Sequence, residues 1–400
     1  MSDVGRTKEC HKYARVQSLK GKASENLIVC AFQSWKYERL EAVARFVSMA
    51  KGIKDSMGKS IQNKTWLGSA GSAAYDFRSD TMTTPTGSML AAIASCSLQD
   101  DVFQEDDTTN DLEAYCAAIT GKESALFVLS GTMGNQLGLR ALLTQPPHSV
   151  LCDHRSHIVT SEAGGLAVLT SAMVSPVTPR NGLYLTLADV EANFKPEGRV
   201  IDCPTKVISL ENTHYGVITP LDEVRKISAF ARSRGVKMHC DGAPTVGGMR
   251  RLASHDIFGK QLAAGFGSRA SVTAAGRVAI EETFGKGPNG EGGLLRHSHA
   301  TAKKVEAMWR EIGGTTKFPV DTNVVWLDLK AAGISMARLN QIGKEEGLLL
   351  MGDRLVVHYQ IYQNAEDTLG RLRRALERAW GERGRGVPAG ADANASIYCT

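Results

Sequence analysis

The chain has 400 residues, 42% hydrophobic and 22% charged, an ordinary soluble composition with room for two domains. No run approaches the roughly 18 consecutive apolar residues that a membrane helix needs, and MSDVGRTKECHKY lacks the apolar core of a secretory signal. The net charge of +5 is uneven: residues 1–70 hold 13 Lys and Arg against 6 Asp and Glu, so the remainder is slightly acidic. Those basic residues are diffuse and carry no nucleic-acid reading motif, so 1–70 reads as a solvated, partly disordered extension with no nucleic-acid partner.

The eight cysteines (Cys10, Cys30, Cys96, Cys116, Cys152, Cys203, Cys240 and Cys399) include no CxxC pair. Scattered free thiols fit a reducing, cytoplasmic setting. The spacing is wrong for zinc, and no metal site is expected.

From Tyr75 onward, short apolar runs alternate with helical periodicity. Ala125–Leu129 (ALFVL) reads as a buried strand, followed by SGTMGNQLGLRALL, a turn opening into a helix. Ser149–Asp153, Lys206–Glu211 and Val236–Asp241 are further strands, each ending in a polar residue. After Thr219 a helix is well marked, with Thr219 as cap, Pro220 at its first position, Asp222 and Glu223 at its positive end, and Gly235 as the stop. Strands alternating with helices predict an α/β fold with a mainly parallel sheet covered on both faces. Near residue 295 the pattern changes to a smaller α+β domain: helix ATAKKVEAMWREI, strand NVVWLDL, a helix over 335–346, strand RLVVHY and helix EDTLGRLRRALERAW. The domains read as 1–70 (extension), 75–294 (large domain), 295–382 (small domain) and 383–400 (disordered tail).

Four polar features fall at carboxyl ends of strands, where open α/β sheets bind ligands. Ser130-Gly131-Thr132 opens a helix whose amides and dipole suit a phosphate, though a plain strand–turn–helix junction has the same look. Asp241 ends an apolar strand; it suits a protonated pyridine nitrogen, or equally a helix cap. His157, five residues before Glu162, has the chemistry to stack on a flat ring or move protons, or to serve structure alone. Glu211–Gly216 (ENTHYG) places Asn212 and His214 at the same edge, or forms a turn.

In chain order, DFRSDTMTTPT, DDVFQEDDTTNDLE, SGTMGNQ, HIVTSEAGG, SLENTHYGVITPL, HCDGA, GGMRR and DTNVVW resemble the motifs of the threonine aldolase family, over residues 75–382. The resemblance implies the aspartate-aminotransferase-like fold (pyridoxal-phosphate fold type I) and pyridoxal 5′-phosphate as cofactor. It implies that Gly131 and Thr132 bind the cofactor phosphate, His157 stacks on its ring and serves as base, and Asp241 pairs with the ring nitrogen. Ser79 and Arg354 would bind the substrate carboxylate, and His214 would lie near the substrate hydroxyl. The implied reaction cleaves a small β-hydroxy-α-amino acid, such as L-threonine or L-allo-threonine, to glycine and an aldehyde, in a homodimer or homotetramer. An amino-acid (alanine) racemase of the same family would use the same cofactor to break Cα–H instead.

One departure stands out. The family continues from the aspartate as DGAR and later reaches SKG, whose lysine forms the internal Schiff base. Here Pro244 replaces that arginine, the chain is truncated between 243 and 247, GGMRR follows within a few residues, and no SKG occurs. No Schiff-base lysine is therefore assigned. An unfamiliar segment, 252–271, holds Lys260 without the family's flanking residues. Loss beside insertion, both at motif edges, fits a splicing error in the gene reading; a lysine-free, catalytically inactive member is the alternative. Removing a strand and helix from mid-sheet is expected to leave strand edges unpaired.

Overall fold

The computed structural model describes residues 27–31, 72–242, 270–285 and 293–383. In chain order they form β1 (Leu27–Ala31), α1 (Gly87–Ser95), α2 (Asp107–Thr120), β2 (Ser124–Val128), α3 (Gly131–Leu142), β3 (Ser149–Asp153), α4 (His157–Thr160) and α5 (Gly165–Thr170). Next come β4 (Met173–Val177), α6 (Leu187–Asn193), β5 (Thr205–Glu211), α7 (Leu221–Ser233) and β6 (Lys237–Asp241). The chain then forms α8 (Ala270–Phe284), α9 (Leu294–Glu311), β7 (Val324–Trp326), α10 (Met336–Glu345), β8 (Arg354–Val356), α11 (Tyr359–Gln363) and α12 (Ala365–Gly381).

Strands β4, β3, β5 and β6 pair in that order, all parallel. Alternation along each strand divides the core in two. Leu151, Ile208, Leu210, Met238 and Cys240 pack against Val224, Ile227 and Ala231 of α7 on one face. Val150, Cys152 and Val207 pack against Leu139 of α3 and Leu166 of α5 on the other. Each fully buried aliphatic side chain contributes about 1.5–3 kcal/mol, so both faces drive the layering. Ser209, Glu211, His239 and Asp241 continue the second face, because side chains two apart along a strand share a face.

β1 and β2 form a separate two-stranded parallel sheet, with Leu27 opposite Ser124 through to Ala31 opposite Val128. β1 lies within 1–70, the segment read as a solvated, partly disordered extension in which the sequence pattern marks no strand. LIVCA is apolar and β-branched, and counting charge over seventy residues averaged that run away. Among the described residues the four-stranded sheet stops at β6, which pairs with β5 alone. Residues 243–269, with Lys260 and most of the unfamiliar segment, lie outside the described residues, as does the tail from 384. Helix α8 picks up at Ala270 and packs Ile280 against Leu112 and Cys116 of α2 and Phe127 of β2.

Helix α7 starts one residue later than its capping pattern predicts. Pro220 is the N-cap, and Thr219, instead of capping, donates its backbone N–H to Asn212 Oδ1 at 3.2 Å. Asp222 and Glu223 occupy the first turn and Gly235 turns the chain at φ +67. The C-terminal core gathers Trp309, Val325, Leu327, Leu339, Leu355 and Leu372 around the antiparallel β7–β8 ribbon. Phe77 is fully buried in this core: its N–H donates to Leu349 O and its carbonyl accepts from Val356 N. No helix among the described residues is long and apolar enough to cross a membrane.

Candidate functional site

Parallel strands point their carboxyl ends the same way, so the residues closing β3, β5 and β6 meet at one edge of the sheet. Glu211 and Asp241, the last residues of β5 and β6, are register partners on the same face. Asp241 also anchors the next turn, its carbonyl accepting from Asn212 N at 2.8 Å.

Helix α3 reaches that edge from the other sheet. Ser130 caps it, its Oγ accepting from Met133 N at 3.1 Å, with Gly131 and Thr132 in the first turn. One turn on, Asn135 and Gln136 are buried and face Glu162. Asn135 Nδ2 donates to Glu162 Oε1 and to Asp241 Oδ2, both at 2.7 Å. Gln136 Nε2 donates to Glu162 Oε2. Glu162 Oε1 also lies 2.8 Å from Nδ1 of His157. A ligand atom of each of His157, Glu162 and Asp241 therefore falls within 4.8 Å of the others.

The EAGG turn is built for this contact. Ala163 and Gly164 both have positive φ, 52 and 72, a conformation that Gly164 adopts without strain. A Cβ on Gly165 would sit 2.9 Å from the end of the Gln136 side chain, so any larger residue there would push against the amide that donates to Glu162.

The His157 ring is 37% exposed while the Glu162 carboxyl is fully buried. The hydrogen bond to Glu162 is the main force raising the His157 pKa; burial opposes it, and the charges of Glu162, Asp241 and Glu211 add to it. With Nδ1 tied to Glu162, Nε2 is the ring nitrogen left for exchange with a ligand. Beneath Asp241, His239 Nδ1 lies 2.8 Å from Ser209 Oγ, both groups buried, and burial depresses the His239 pKa so that the ring is neutral. Cys240, between them and on the opposite face, has its thiol pushed up to about 12, first by burial and then by the charges of Asp241 and Glu211.

His214 arrives at the same edge but sits inside it. Its side chain is 4% exposed, with Nδ1 3.4 Å from Glu211 Oε1 and its ring 4.4 Å from that of Tyr215. Glu211 Oε2 in turn accepts from the backbone N–H of His157 at 2.7 Å, so one carboxylate ties the two histidine segments together. Ser79 caps the single helical turn Asp80–Met82, and Arg354 opens β8 opposite Trp326 of β7; the chain of bonds from His157 through Glu162 and Asn135 to Asp241 runs through neither. Ser79 Oγ accepts from Thr81 N and Thr81 Oγ1.

Of the residues singled out in the sequence, the network joins His157 to Asp241, brings in His214 through Glu211, and rests on the helix that Gly131 and Thr132 open. Sequence reasoning missed Asn135, Gln136, Glu162, Ser209 and His239. A signal was present for three of them: polar residues inside the first turns of a helix after a strand, and a carboxylate five residues from a histidine.

Residues 76–246 match the family model described as beta-eliminating lyase. The chain is 49% identical over 339 residues to the aldolase vrtJ of Penicillium aethiopicum, covering 76% of this chain and 85% of that protein. It is 38% identical over 335 residues to a low-specificity L-threonine aldolase of Candida albicans, covering 74% and 87%. It is also 38% identical over 341 residues to the alanine racemase TOXG of Cochliobolus carbonum, covering 76% and 87%. Among solved structures, a threonine aldolase of Leishmania major superposes with TM-score 0.57 at 14% identity, over 76% of this chain and 99% of that one.

Proposed function

This chain belongs to the threonine aldolase family of beta-eliminating lyases, with the fold of type I pyridoxal-phosphate enzymes, and from that membership we propose that it cleaves a β-hydroxy-α-amino acid of the L-threonine or L-allo-threonine type to glycine and an aldehyde. The observation that carries the reading is the Asp241–Asn135–Glu162–His157 chain at the carboxyl edge, beside the opening turn of α3.

The residues present fit pyridoxal 5′-phosphate, the cofactor of this family. The Asp241 carboxyl group suits a protonated ring nitrogen, the partly open His157 ring offers a stacking face, and the amides of Gly131 and Thr132 suit a phosphate at a helix start. When bound, the cofactor supplies an electron sink for the pair released at Cα. The chain's own part is to hold and to move protons. Asp241 keeps a proton on the ring nitrogen. His157, whose proton affinity Glu162 raises, takes the substrate hydroxyl proton at Nε2. His214 is far more deeply buried than His157, which favours a shaping role for His214, near the substrate hydroxyl, and proton transfer by the more open His157. Ser79, at the cap of the turn Asp80–Met82, and Arg354, at the start of β8, are the candidates for the substrate carboxylate. The functional unit in this reading is a homodimer or homotetramer, which light scattering checks.

Two further readings have specific support. Similarity to an alanine racemase equal to that of the Candida aldolase favours racemisation as the alternative. The absence of an SKG motif favours a non-catalytic member. Purified protein supplied with pyridoxal phosphate distinguishes the three. Acetaldehyde released from L-threonine supports the aldolase reading, whereas interconversion of alanine enantiomers without threonine cleavage moves it to the racemase. Failure to retain cofactor, with no borohydride-fixed adduct on Lys260 or any other lysine, sinks both enzyme readings.

A further inference from the structure

Glu162 and Asp241 are two carboxylates brought together at one buried edge, each with an oxygen in the same 4.8 Å cluster. Carboxylates this close normally share a proton, because two like charges in a poorly solvated site repel. What separates them here is a single nitrogen. Asn135 Nδ2 carries two hydrogens and stands 2.7 Å from an oxygen of each. A primary amide nitrogen donates and does not accept, so both contacts favour the ionised carboxylate. Glu162 is held further by Gln136 Nε2 and His157 Nδ1. Among the described residues, the titratable groups around the pair include His157, Glu211, the neutral His239 and, acting on Cys240 next to Asp241, Lys122.

We propose that Asn135 is a positioning residue whose amide, shared between Glu162 and Asp241, holds the two carboxylates side by side at this edge. Through Asp241 it sets the position of the acid that faces the cofactor ring nitrogen; through Glu162 it sets the acceptor that faces the stacking imidazole. The first half of that role rests on the cofactor reading above, whereas the second is a property of the protein alone.

The test uses the full-length protein with Asn135→Leu, which removes both donors at similar volume, and Asn135→Gln, which keeps an amide. Two quantities are read: the titration of His157 by NMR, assigned by the signal lost in His157→Gln, and the dissociation constant for pyridoxal phosphate by equilibrium dialysis. In Asn135→Leu both carboxylates lose their shared donor, so the His157 midpoint falls as its bond to Glu162 loosens, and cofactor binding weakens about tenfold. Asn135→Gln recovers part of both shifts. A folded Asn135→Leu protein with wild-type titration and wild-type affinity overturns the proposal. If the wild-type protein binds no pyridoxal phosphate, the cofactor reading fails by itself, and the His157 titration still decides the role of Asn135. If Asn135→Leu does not fold, the decision falls to Asn135→Gln: displacement of the His157 midpoint supports the role, and an unmoved midpoint rejects it.

Discussion

The two parallel sheets make an instructive pair. The four-stranded sheet is enclosed by helices on both faces, and its carboxyl edge carries Glu211 and Asp241. Among the described residues, the two-stranded sheet of β1 and β2 carries no acid–base residue at its own end; its contribution is the turn into α3. Neither sheet makes the site alone. Helix α3 joins them, starting at the end of β2 and delivering Asn135 to Asp241 on β6. A site divided between two sheets is therefore held by one helix, and its geometry depends on both halves folding together.

The largest test of this comparison lies in the cores. Ile208→Ala in β5 is expected to lower stability by about 2–5 kcal/mol and Phe127→Ala in β2 by about 3–5 kcal/mol. Because α3 bonds across both sheets, calorimetry should show a single transition displaced in either variant. Two resolved transitions would mean that the halves fold separately. Next in size is Glu162→Ala, which leaves the Asn135 and Gln136 amides and the His157 ring without their shared acceptor. A loss of about 1–3 kcal/mol is expected in chemical denaturation, with the His157 titration falling. The smallest effect is a slope. The folded-state pKa of His157 is raised, so its contribution to stability is full below the unfolded value of about 6.5 and is lost as pH rises through the folded value. Stability measured across that window should decline in the wild type and flatten in His157→Gln.

The strands were legible because they are short apolar runs closed by a polar residue. Ser149–Asp153 matches its expected span, β5 and β6 each differ by one residue at their start, and β2 lies one residue earlier at both ends than Ala125–Leu129. Helices α9, α10 and α12 were equally clear, with Ser335 capping α10 where the helix near 335 was expected, whereas the short α11 was not marked. β1 was invisible because an isolated five-residue run among basic residues has no neighbour in sequence to pair with; its partner lies about a hundred residues on. Within the site, Asp241 and His157 were legible as endpoints. The links between them were not, because Asn135, Glu162 and Asp241 come from a helix, a turn and a strand that only the packing of α3 on the sheet brings together. The exposure of His214 was likewise unreadable, since it depends on how Tyr215 and Glu211 close over the ring.

Cys240 gives this architecture an internal clock. Its thiol, pushed up to about 12 beside Asp241, is almost wholly protonated at neutral pH and sealed on the α7 face of β6. Alkylating reagents would reach the less buried Cys96 and Cys203 first. Covalent labelling at Cys240 then records how often the edge of β6 opens, and ligands that close the site would be recognised by how far they slow that label.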